Sequence, residues 1–157
     1  MTPPKEKQID DLDAGIISRL QIDGRTSNTE LAKALKVSEA TIRTRLKRLT
    51  DDNIIQIVAV SNPFKLGFEV TGDLNIRVDM KKMDNVIAAL KGFNELWYIV
   101  VTTGACNINA EFVVKNLAGL HDLVYNRLSL IDGIEQIDTS IIMKYIKRKY
   151  DFGTPFN

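Results

Sequence analysis

The stretch over residues 27–49 constrains the fold more than any other part of the chain, because its pattern is helix, tight turn, helix. In its first half, Leu31 and Leu35 fall on one face of a helix, and Val37 supplies an apolar side chain where the chain bends. Ser38 follows as a predicted N-cap, whose hydroxyl accepts an amide hydrogen bond at the start of a second helix. Two helices joined so tightly have the geometry of a DNA-reading helix-turn-helix.

The second predicted helix has one apolar side and one side of small or basic residues. At about 100° per residue, Ile42, Leu46 and Leu49 share the side that must face other helices. Short side chains opposite them allow close approach to base edges, and Arg and Lys contact guanine edges or phosphates. A solvated basic helix is the plain alternative, but the turn, the cap and the inward triad together favour DNA reading. The residues predicted to contact DNA are Ser38, Ala40, Thr41, Arg43, Thr44, Lys47 and Arg48.

Length and composition allow one ordinary domain or two small ones. The chain has 157 residues, 45% hydrophobic and 26% charged, which predicts a globular protein. Its 21 basic and 20 acidic residues give a net charge of +1. This excludes a uniformly basic surface, so any DNA affinity must come from a local patch. Domains of about 60 residues bury a low fraction of their surface, so we expect a dimer or a larger assembly.

Cysteine and histidine are too few for several kinds of site. Cys106 is the single cysteine and His121 the single histidine. An intramolecular disulfide framework, a multi-cysteine zinc site and a His-rich metal site are therefore excluded. The N-terminus lacks the apolar core of a signal peptide, and no run of about 18 apolar residues occurs. We expect a cytoplasmic protein that uses no metal, no cofactor and no membrane.

Apolar periodicity divides the chain into two predicted domains joined by a linker. Leu12 and Ile16 begin a helical stripe, which completes a three-helix unit with the two helices above. Residues 54–60 form an apolar run, broken only by Gln56, that predicts a strand in need of a partner strand or of cover on both faces. Pro63 marks the predicted hinge, and residues 1–8 are expected to be a disordered arm. The predicted limits are 1–53 for the N-terminal domain, 54–66 for the linker strand and hinge, and 67–157 for the C-terminal domain.

The C-terminal part switches repeatedly between strand and helix periods. Strict alternation over residues 69–80 predicts a strand with one buried and one wet face. The further predicted elements are a helix over 83–90, strands over 96–103 and 108–114, a helix capped by Asn116 with Leu117, Leu120, Val124 and Leu128 inward, and a strand over 139–145. The order β-α-β-β-α-β is the ferredoxin-like arrangement, an antiparallel sheet with helices on one face. The fold class is therefore α+β, a helix-turn-helix domain followed by a ferredoxin-like domain.

With both halves in view, the chain resembles the Lrp/AsnC family, the leucine-responsive or feast/famine transcriptional regulators, over nearly its whole length. The resemblance rests on the sequence Ile-Asp-Asp-Leu-Asp-Ala-Gly-Ile-Ile at residues 9–17, on the helix-turn-helix, and on Asn62-Pro63 with Leu66-Gly67 in the linker. It implies a sequence-specific DNA-binding regulator rather than an enzyme. It also implies that the C-terminal domains dimerise through their sheets, often into octamers, and that a small effector, frequently an amino acid, binds between dimers.

The turn after the second strand of the C-terminal domain departs from the family pattern. The family usually has Gly-Asp-aromatic-Asp there, whereas this chain lacks both carboxylates. The ammonium group of an amino acid needs acceptors, although backbone carbonyls and asparagine side chains also accept hydrogen bonds. Three readings stay open: a different effector, an uncharged or acidic ligand, or no effector. The residues implied at the effector site are Gly104, Ala105, Cys106, Asn107 and Asn109.

Some of these residues also allow roles other than regulation. Cys106 senses oxidants only if it is exposed and prone to form a thiolate, and a small buried filler is the simpler reading. A tetrapyrrole enzyme resembling the sirohaem decarboxylases needs His and Arg at the cleft, and we expect neither beside this turn. An effector-independent architectural DNA-binding protein is a further alternative. The basic residues near the C-terminus either add attraction to DNA or form a solvated tail; they are Lys144, Lys147, Arg148 and Lys149.

Overall fold

The computed structural model describes residues 9–149 and 153–154, which form two compact units. The described residues of the first unit are 9–60, 147–149 and 153–154, and those of the second are 61–146. The predicted arm at residues 1–8 lies outside the described residues, and the domain limits derived from the sequence stay a prediction. Among the described residues, no helix combines the length and the apolar character that crossing a bilayer requires.

Three helices build the first unit. They are α1 (Asp11–Ile22), α2 (Asn28–Leu35) and α3 (Glu39–Asp51). Lys36 follows α2 in the left-handed conformation, with φ of 56°, so the chain reverses within one turn. The Ser38 hydroxyl then accepts a hydrogen bond from the Thr41 N–H at 3.1 Å, which confirms the predicted cap. The helix, tight turn and helix over residues 27–49 are therefore present as predicted.

The core of the first unit lies between its three helices. Ile42 and Leu49 of α3 are fully buried there and Leu46 is half-buried, which confirms the predicted inward triad. Val37 packs against the same cluster from the turn, as the sequence predicts. These apolar contacts fix which side of α3 faces inward, so its opposite side remains open to solvent.

The predicted strand over residues 54–60 is not formed in the described structure. Residues 55–60 pair with no strand, and the side chains of Ile57, Val58 and Val60 are 58%, 68% and 57% exposed. The strand prediction was wrong for the isolated chain because an apolar segment needs a partner strand to satisfy its backbone. Pro63 is buried at the start of a 3₁₀ turn over Pro63–Leu66, which opens the second unit.

The second unit is a four-stranded antiparallel sheet with helices packed on one face. Its strands are β1 (Val70–Val78), β2 (Leu96–Val101), β3 (Ile108–Val114) and β4 (Ile134–Ile141), and its helices include α4 (Met83–Leu90) and α5 (Leu117–His121). The spatial order is β2-β3-β1-β4, which confirms the ferredoxin-like arrangement. Alternate side chains of β1 and β3, such as Leu74 and Phe112, are fully buried in a core shared with Val86, Leu90 and Leu123.

Two predicted elements differ from those observed. The last strand is Ile134–Ile141 instead of 139–145, because Gly133, at φ 102°, turns the chain so that Ile134 already pairs with Val78. The helix after Asn116 continues from α5 into a π-helical turn over Asp122–Arg127, whose wider i→i+5 pattern changes which side chains face inward. Leu120, Val124 and Leu128 are buried as predicted and Leu123 is fully buried as well, while Leu117, predicted to be inward, is 64% exposed.

The wet face of β1 also differs from prediction at one position. Thr71 was expected to face solvent, yet it is 1% exposed. The Tyr145 hydroxyl lies 3.2 Å from the Thr71 hydroxyl, and the Tyr145 ring packs against Phe64 with ring centroids 6.1 Å apart. Tyr145 therefore lies outside β4, contrary to prediction, and belongs to a cluster over the start of β1.

Candidate functional sites

One face of α3 is open to solvent and carries side chains predicted to contact DNA. Ala40, Arg43, Thr44 and Lys47 are all exposed, with the small side chain of Ala40 near the helix start. Thr44 donates its hydroxyl hydrogen to the Ala40 carbonyl at 3.0 Å, and its exposed side chain carries a methyl group of the kind that contacts thymine methyls. The face thus combines close approach near the start of α3 with positive charge further along.

The exposed cations of α3 are paired only with neighbours on the same helix. Lys47 Nζ lies 2.5 Å from Asp51 and Arg43 lies 3.3 Å from Glu39, both one helical turn away. The hydrogen bond from Asp51 raises the pKa of Lys47 above its ordinary value. Exposed pairs of this kind are worth at most about 1 kcal/mol. A DNA phosphate can therefore replace either carboxylate at small cost.

The other two cations of α3 are held by the start of α1. Arg45 lies 2.6 Å from the Asp10 carboxylate and 3.3 Å from that of Asp13, and Arg48 pairs with Asp13. The Asp13 side chain is fully buried. The pKa of Asp10 lies below its ordinary value because its carboxylate accepts the Asp13 backbone N–H and pairs with Arg45. Arg48, which the sequence pattern assigned to DNA phosphates, is therefore oriented toward α1.

The spacing of the charged residues in the sequence indicates this arrangement, whereas the apolar pattern of α3 alone does not. Asp10 and Asp13 are three residues apart, as are Arg45 and Arg48, so each pair occupies one side of its own helix. The acids were expected to complement the positive end of α1. In the structure they also neutralise the inner cations of α3, which leaves Arg43 and Lys47 as its outward cations.

The turn proposed for the effector is closed by its own hydrogen bonds. Gly104 has φ of 114°, a conformation that glycine adopts without strain. The Thr102 N–H donates to the Asn107 carbonyl at 2.9 Å, and the Thr102 hydroxyl donates to the Cys106 carbonyl at 3.1 Å. Ala105 is exposed at the tip, and Cys106 is half-buried. The backbone of residues 102–107 is thus a closed hairpin connection between β2 and β3.

The asparagine side chains of this region are already engaged within the protein. Asn107 Oδ1 accepts the Val78 N–H at 3.0 Å, at the irregular end of β1. Asn75 Oδ1 accepts from Asn109 at 3.1 Å and from the Cys106 thiol at 3.5 Å. Asn107 therefore ties the turn to β1, and its oxygen is not a simple replacement for an exposed carboxylate.

Arg77 lies beside this turn, contrary to the expectation that no Arg would be found there. Its Nε donates to the Ala105 carbonyl at 3.4 Å. The alternation of residues 69–80 could have indicated this position, because it puts Arg77 on the solvent-facing side of β1. On β4, Gln136 pairs opposite Arg77 and Asp138 pairs opposite Asn75, so the same open face of the sheet offers both a guanidinium and a carboxylate.

The open face of the sheet is otherwise rich in acidic side chains. Asp73 and Glu111 occupy directly opposed positions on β1 and β3, and Asp138 lies on the neighbouring strand β4. Within residues 9–149 and 153–154, no group of three His, Cys, Asp or Glu side chains is arranged to hold a metal ion. The face therefore presents separate carboxylates, of which Asp138 lies diagonally across from Arg77.

Both units match models of known domains. Residues 9–50 match the AsnC-type helix-turn-helix domain, and residues 74–152 match the Lrp/AsnC ligand binding domain. A helix-turn-helix followed by a ferredoxin-like ligand-binding domain defines a class of two-domain, DNA-binding transcriptional regulators. Within that class, the chain belongs to the Lrp/AsnC family.

Individual relatives agree with this assignment along almost the whole chain. An uncharacterized HTH-type transcriptional regulator of Pyrococcus furiosus is 36% identical over 143 residues, covering 90% of this chain and 97% of the relative. LrpA of Pyrococcus abyssi is 31% identical over 140 residues, covering 88% and 99%. The structure of Escherichia coli AsnC superposes with a TM-score of 0.80 at 28% identity, covering 92% and 99%.

A further solved structure shares the fold at lower identity. It is a transcriptional regulator of Neisseria meningitidis in complex with L-Met, with a TM-score of 0.83 and 22% identity, covering 96% of this chain and 98% of that one. At that identity the likeness concerns the fold alone. It extends across both units of the chain.

Proposed function

We propose that this protein is a cytoplasmic, sequence-specific transcription factor, not an enzyme, that reads double-stranded DNA with α3. The observation that carries the proposal is the open face of α3, where Ala40, Thr44, Arg43 and Lys47 are exposed while the inner cations are tied to α1. Thr44 and Lys47 are assigned to base edges, and Arg43 to phosphate. Ser38 and Thr41 complete the contact at the start of the helix.

The protein is proposed to act as a homodimer that assembles further, as its family does, into octamers. A dimer presents two copies of α3 to successive major grooves, so its half-sites are about one helical turn of 10–10.5 base pairs apart, or a multiple of this. The operator is then an inverted repeat, because the two-fold symmetry of a dimer is matched by symmetry in the DNA.

Substitutions on α3 test this assignment. Thr44→Ala and Lys47→Ala should change the preference among DNA sequences, whereas Arg43→Ala should weaken all sequences alike and lower the salt slope by about 1. Arg48→Ala, assigned to phosphate from the sequence, should mainly destabilise the first unit, because Arg48 holds Asp13. Lys91→Ala, which removes one exposed charge from the second unit, is the control. Unchanged DNA affinity of Arg43→Ala/Lys47→Ala at physiological salt would refute the assigned face.

We further propose that a small metabolite, an amino acid or a related compound, binds at the turn formed by Gly104, Ala105, Cys106 and Asn107, together with Asn109. The regulator from Neisseria meningitidis in complex with L-Met supports an amino acid. Arg77 is a partner for a carboxylate, and Asp138 is a partner for an ammonium group in place of the missing turn carboxylates. Diagonal neighbours on adjacent strands are about 7–8 Å apart, and Gln136, opposite Arg77, donates to both Asp138 oxygens at 2.9 and 3.1 Å, so an ammonium group would replace the Gln136 amide at Asp138.

Thermal unfolding with added compounds tests the effector and distinguishes the three open readings. An amino acid should raise the melting temperature progressively with its concentration, and both Arg77→Gln and Asp138→Asn should abolish the shift. A shift produced only by 2-oxo acids, which lack the ammonium group, would identify an acidic ligand and exclude a role for Asp138. No shift with any compound would favour the effector-independent architectural protein.

Two alternatives lose support from the same region. The Cys106 thiol is half-buried and donates to Asn75, which favours a packing role over an oxidant sensor. The tetrapyrrole enzyme needs His as well as Arg at the cleft, and His121 instead lies on α5 against the ring of Tyr125, with centroids 4.9 Å apart. The relatives are also named as transcriptional regulators.

A further inference from the structure

The C-terminal end of the chain returns to the helix-turn-helix unit. Strand β4 ends at Ile141 and residues 142–146 stay with the second unit, but residues 147–149 and 153–154 group with α1, α2 and α3. The end of a chain is often poorly ordered unless specific contacts hold it. The contacts that hold this one identify where it is attached.

Gln21 of α1 holds the C-terminal segment through a two-point hydrogen-bonded pair. Its Nε2 donates to the Gly153 carbonyl at 3.2 Å, and its Oε1 accepts the Gly153 N–H at 3.1 Å. The amide thus pairs with the backbone as a neighbouring strand would. Gly153 has φ of 79°, which favours glycine, and the hydroxyl oxygen of Thr154 is fully buried. The segment is therefore docked at this point.

The docked segment changes the charge of the first unit. Residues 9–60 contain eight basic and eight acidic residues, so this part has no net charge. Lys147, Arg148 and Lys149 add three positive charges and Asp151 one negative charge, a net +2 over residues 147–157, and the three basic side chains are exposed. Since DNA affinity rises with the number of phosphates that a protein neutralises, the segment supplies the net positive charge that the helices lack.

The anchor lies at the opposite end of α1 from Asp10 and Asp13. Gln21 is eight residues along α1 from Asp13, or about 12 Å at 1.5 Å per residue. Asp10 and Asp13 at the other end are engaged by Arg45 and Arg48. The segment is therefore anchored at the opposite end of α1 from these two carboxylates.

We propose that residues 147–149 are a second DNA-binding element, which binds the phosphate backbone through Lys147, Arg148 and Lys149, and that the Gln21–Gly153 pair anchors this end of the chain on α1. Its ligand is the phosphodiester backbone, so it adds affinity without sequence preference. The inference rests on the proposed function because it takes DNA as the ligand, and it extends the contact surface beyond α3.

Binding of the full chain to its operator over a range of salt concentrations tests the proposal. Lys147→Ala/Arg148→Ala/Lys149→Ala should lower the slope of log affinity against log salt by about 0.9 for each phosphate that is no longer neutralised, up to about 2.7. Preference between operator and unrelated DNA should not change. Lys91→Ala, which removes an exposed charge from the second unit, should leave the slope unchanged.

The anchor is tested with variants that keep every charge of the segment. Gln21→Ala and Gly153→Ala should each lower DNA affinity several-fold at physiological salt, because the basic side chains are no longer held on the unit. Gly67→Ala is the matched control for Gly153→Ala, since Gly67 is also left-handed, at φ 90°, and has open space around it. The Gly67→Ala protein should be less stable but should keep its DNA affinity.

Each outcome supports or overturns a defined part of the proposal. Unchanged affinity and slope for the triple variant would overturn it, and unchanged affinity for both anchor variants would overturn the role of Gln21 and Gly153. Arg43→Ala/Lys47→Ala is measured in parallel. If that variant loses DNA binding while the triple variant does not, the inference fails and the proposed function stands. If neither changes binding, the proposed function fails as well.

Discussion

Asp13 is the residue on which the organisation of the first unit most depends. Its fully buried carboxylate pairs with Arg45 and Arg48 and also accepts the Asp10 backbone N–H at 3.1 Å. One side chain therefore caps α1 and fixes α3 against it. Removing one partner of a buried pair leaves the remaining groups without their compensating charge, which is costly.

Asp13→Asn should lower the free energy of unfolding by about 2–3 kcal/mol, less than the 3–5 kcal/mol typical of fully buried pairs, because water reaches both guanidinium groups. Urea unfolding of the purified protein measures this. Asp11→Asn is the control, because Asp11 is exposed in the same helical turn and its loss should cost less than about 1 kcal/mol. Equal effects of the two substitutions would contradict the role assigned to Asp13.

Single-residue features were predictable from sequence only where their partners are local. The Ser38 cap was predicted because its partner is the N–H three residues ahead. The direction of Arg48 was not, because its partner Asp13 is 35 residues away and a long side chain can reach several surfaces. The proximity of Arg77 to Ala105 was missed for the same reason, across 28 residues.

At the scale of elements, β1 is the strand that organises the second unit. It pairs with both β3 and β4. Gly72 of β1 lies opposite Phe112 of β3 and Ile141 of β4. A Cβ added there would collide with the Ser140 carbonyl oxygen and approach the Phe112 ring to 2.7 Å. The backbone on one side and a fully buried ring on the other leave no room for relaxation.

Gly72→Ala should therefore destabilise the second unit by several kcal/mol, within the range of overpacked cores or beyond it, or separate β4 from the sheet. Thermal unfolding followed by circular dichroism, with hydrogen exchange of the β4 amides, measures both effects. Gly119→Ala is the control, because its Cβ would meet only ordinary contacts in α5 and alanine favours a helix by up to about 1 kcal/mol. A Gly72→Ala protein with wild-type stability would refute the collision.

Element boundaries followed from sequence where a local signal ended them. Helix α2 ends at Leu35, where the sequence predicts it to end, because its apolar stripe stops there and the predicted turn follows at Val37. Strand β4 was placed too late because the alternation of residues 139–145 continues past the point where pairing with β1 stops. Periodicity identifies a strand, but only the partner decides its length.

At the scale of the whole molecule, the segment over residues 54–60 exposes several neighbouring apolar side chains. Its apolar side chains are more than half exposed at Ile57, Val58 and Val60. Contiguous exposed apolar side chains mark interaction surfaces. They agree with the expectation that the protein is a dimer or a larger assembly.

We expect sedimentation at micromolar concentration to give a dimer or a larger species, and Val58→Lys to shift the mass toward the monomer, because a charge in a buried interface must lose its hydration. Gln56→Lys is the matched control, since Gln56 is exposed in the same segment and already polar. An unchanged mass for Val58→Lys would exclude this segment from the interface.

The sequence by itself determined the helix-turn-helix, the β-α-β-β-α-β order and the family, because these depend on patterns within a few residues and on the sequence of elements along the chain. Only the tertiary structure decided which cations of α3 face outward, that Arg77 lies beside the effector turn, and that Gly153 docks on Gln21, 132 residues away. The physical reason is the same in each case. Long-range contacts depend on the packing of the whole fold, so no local sequence pattern predicts them.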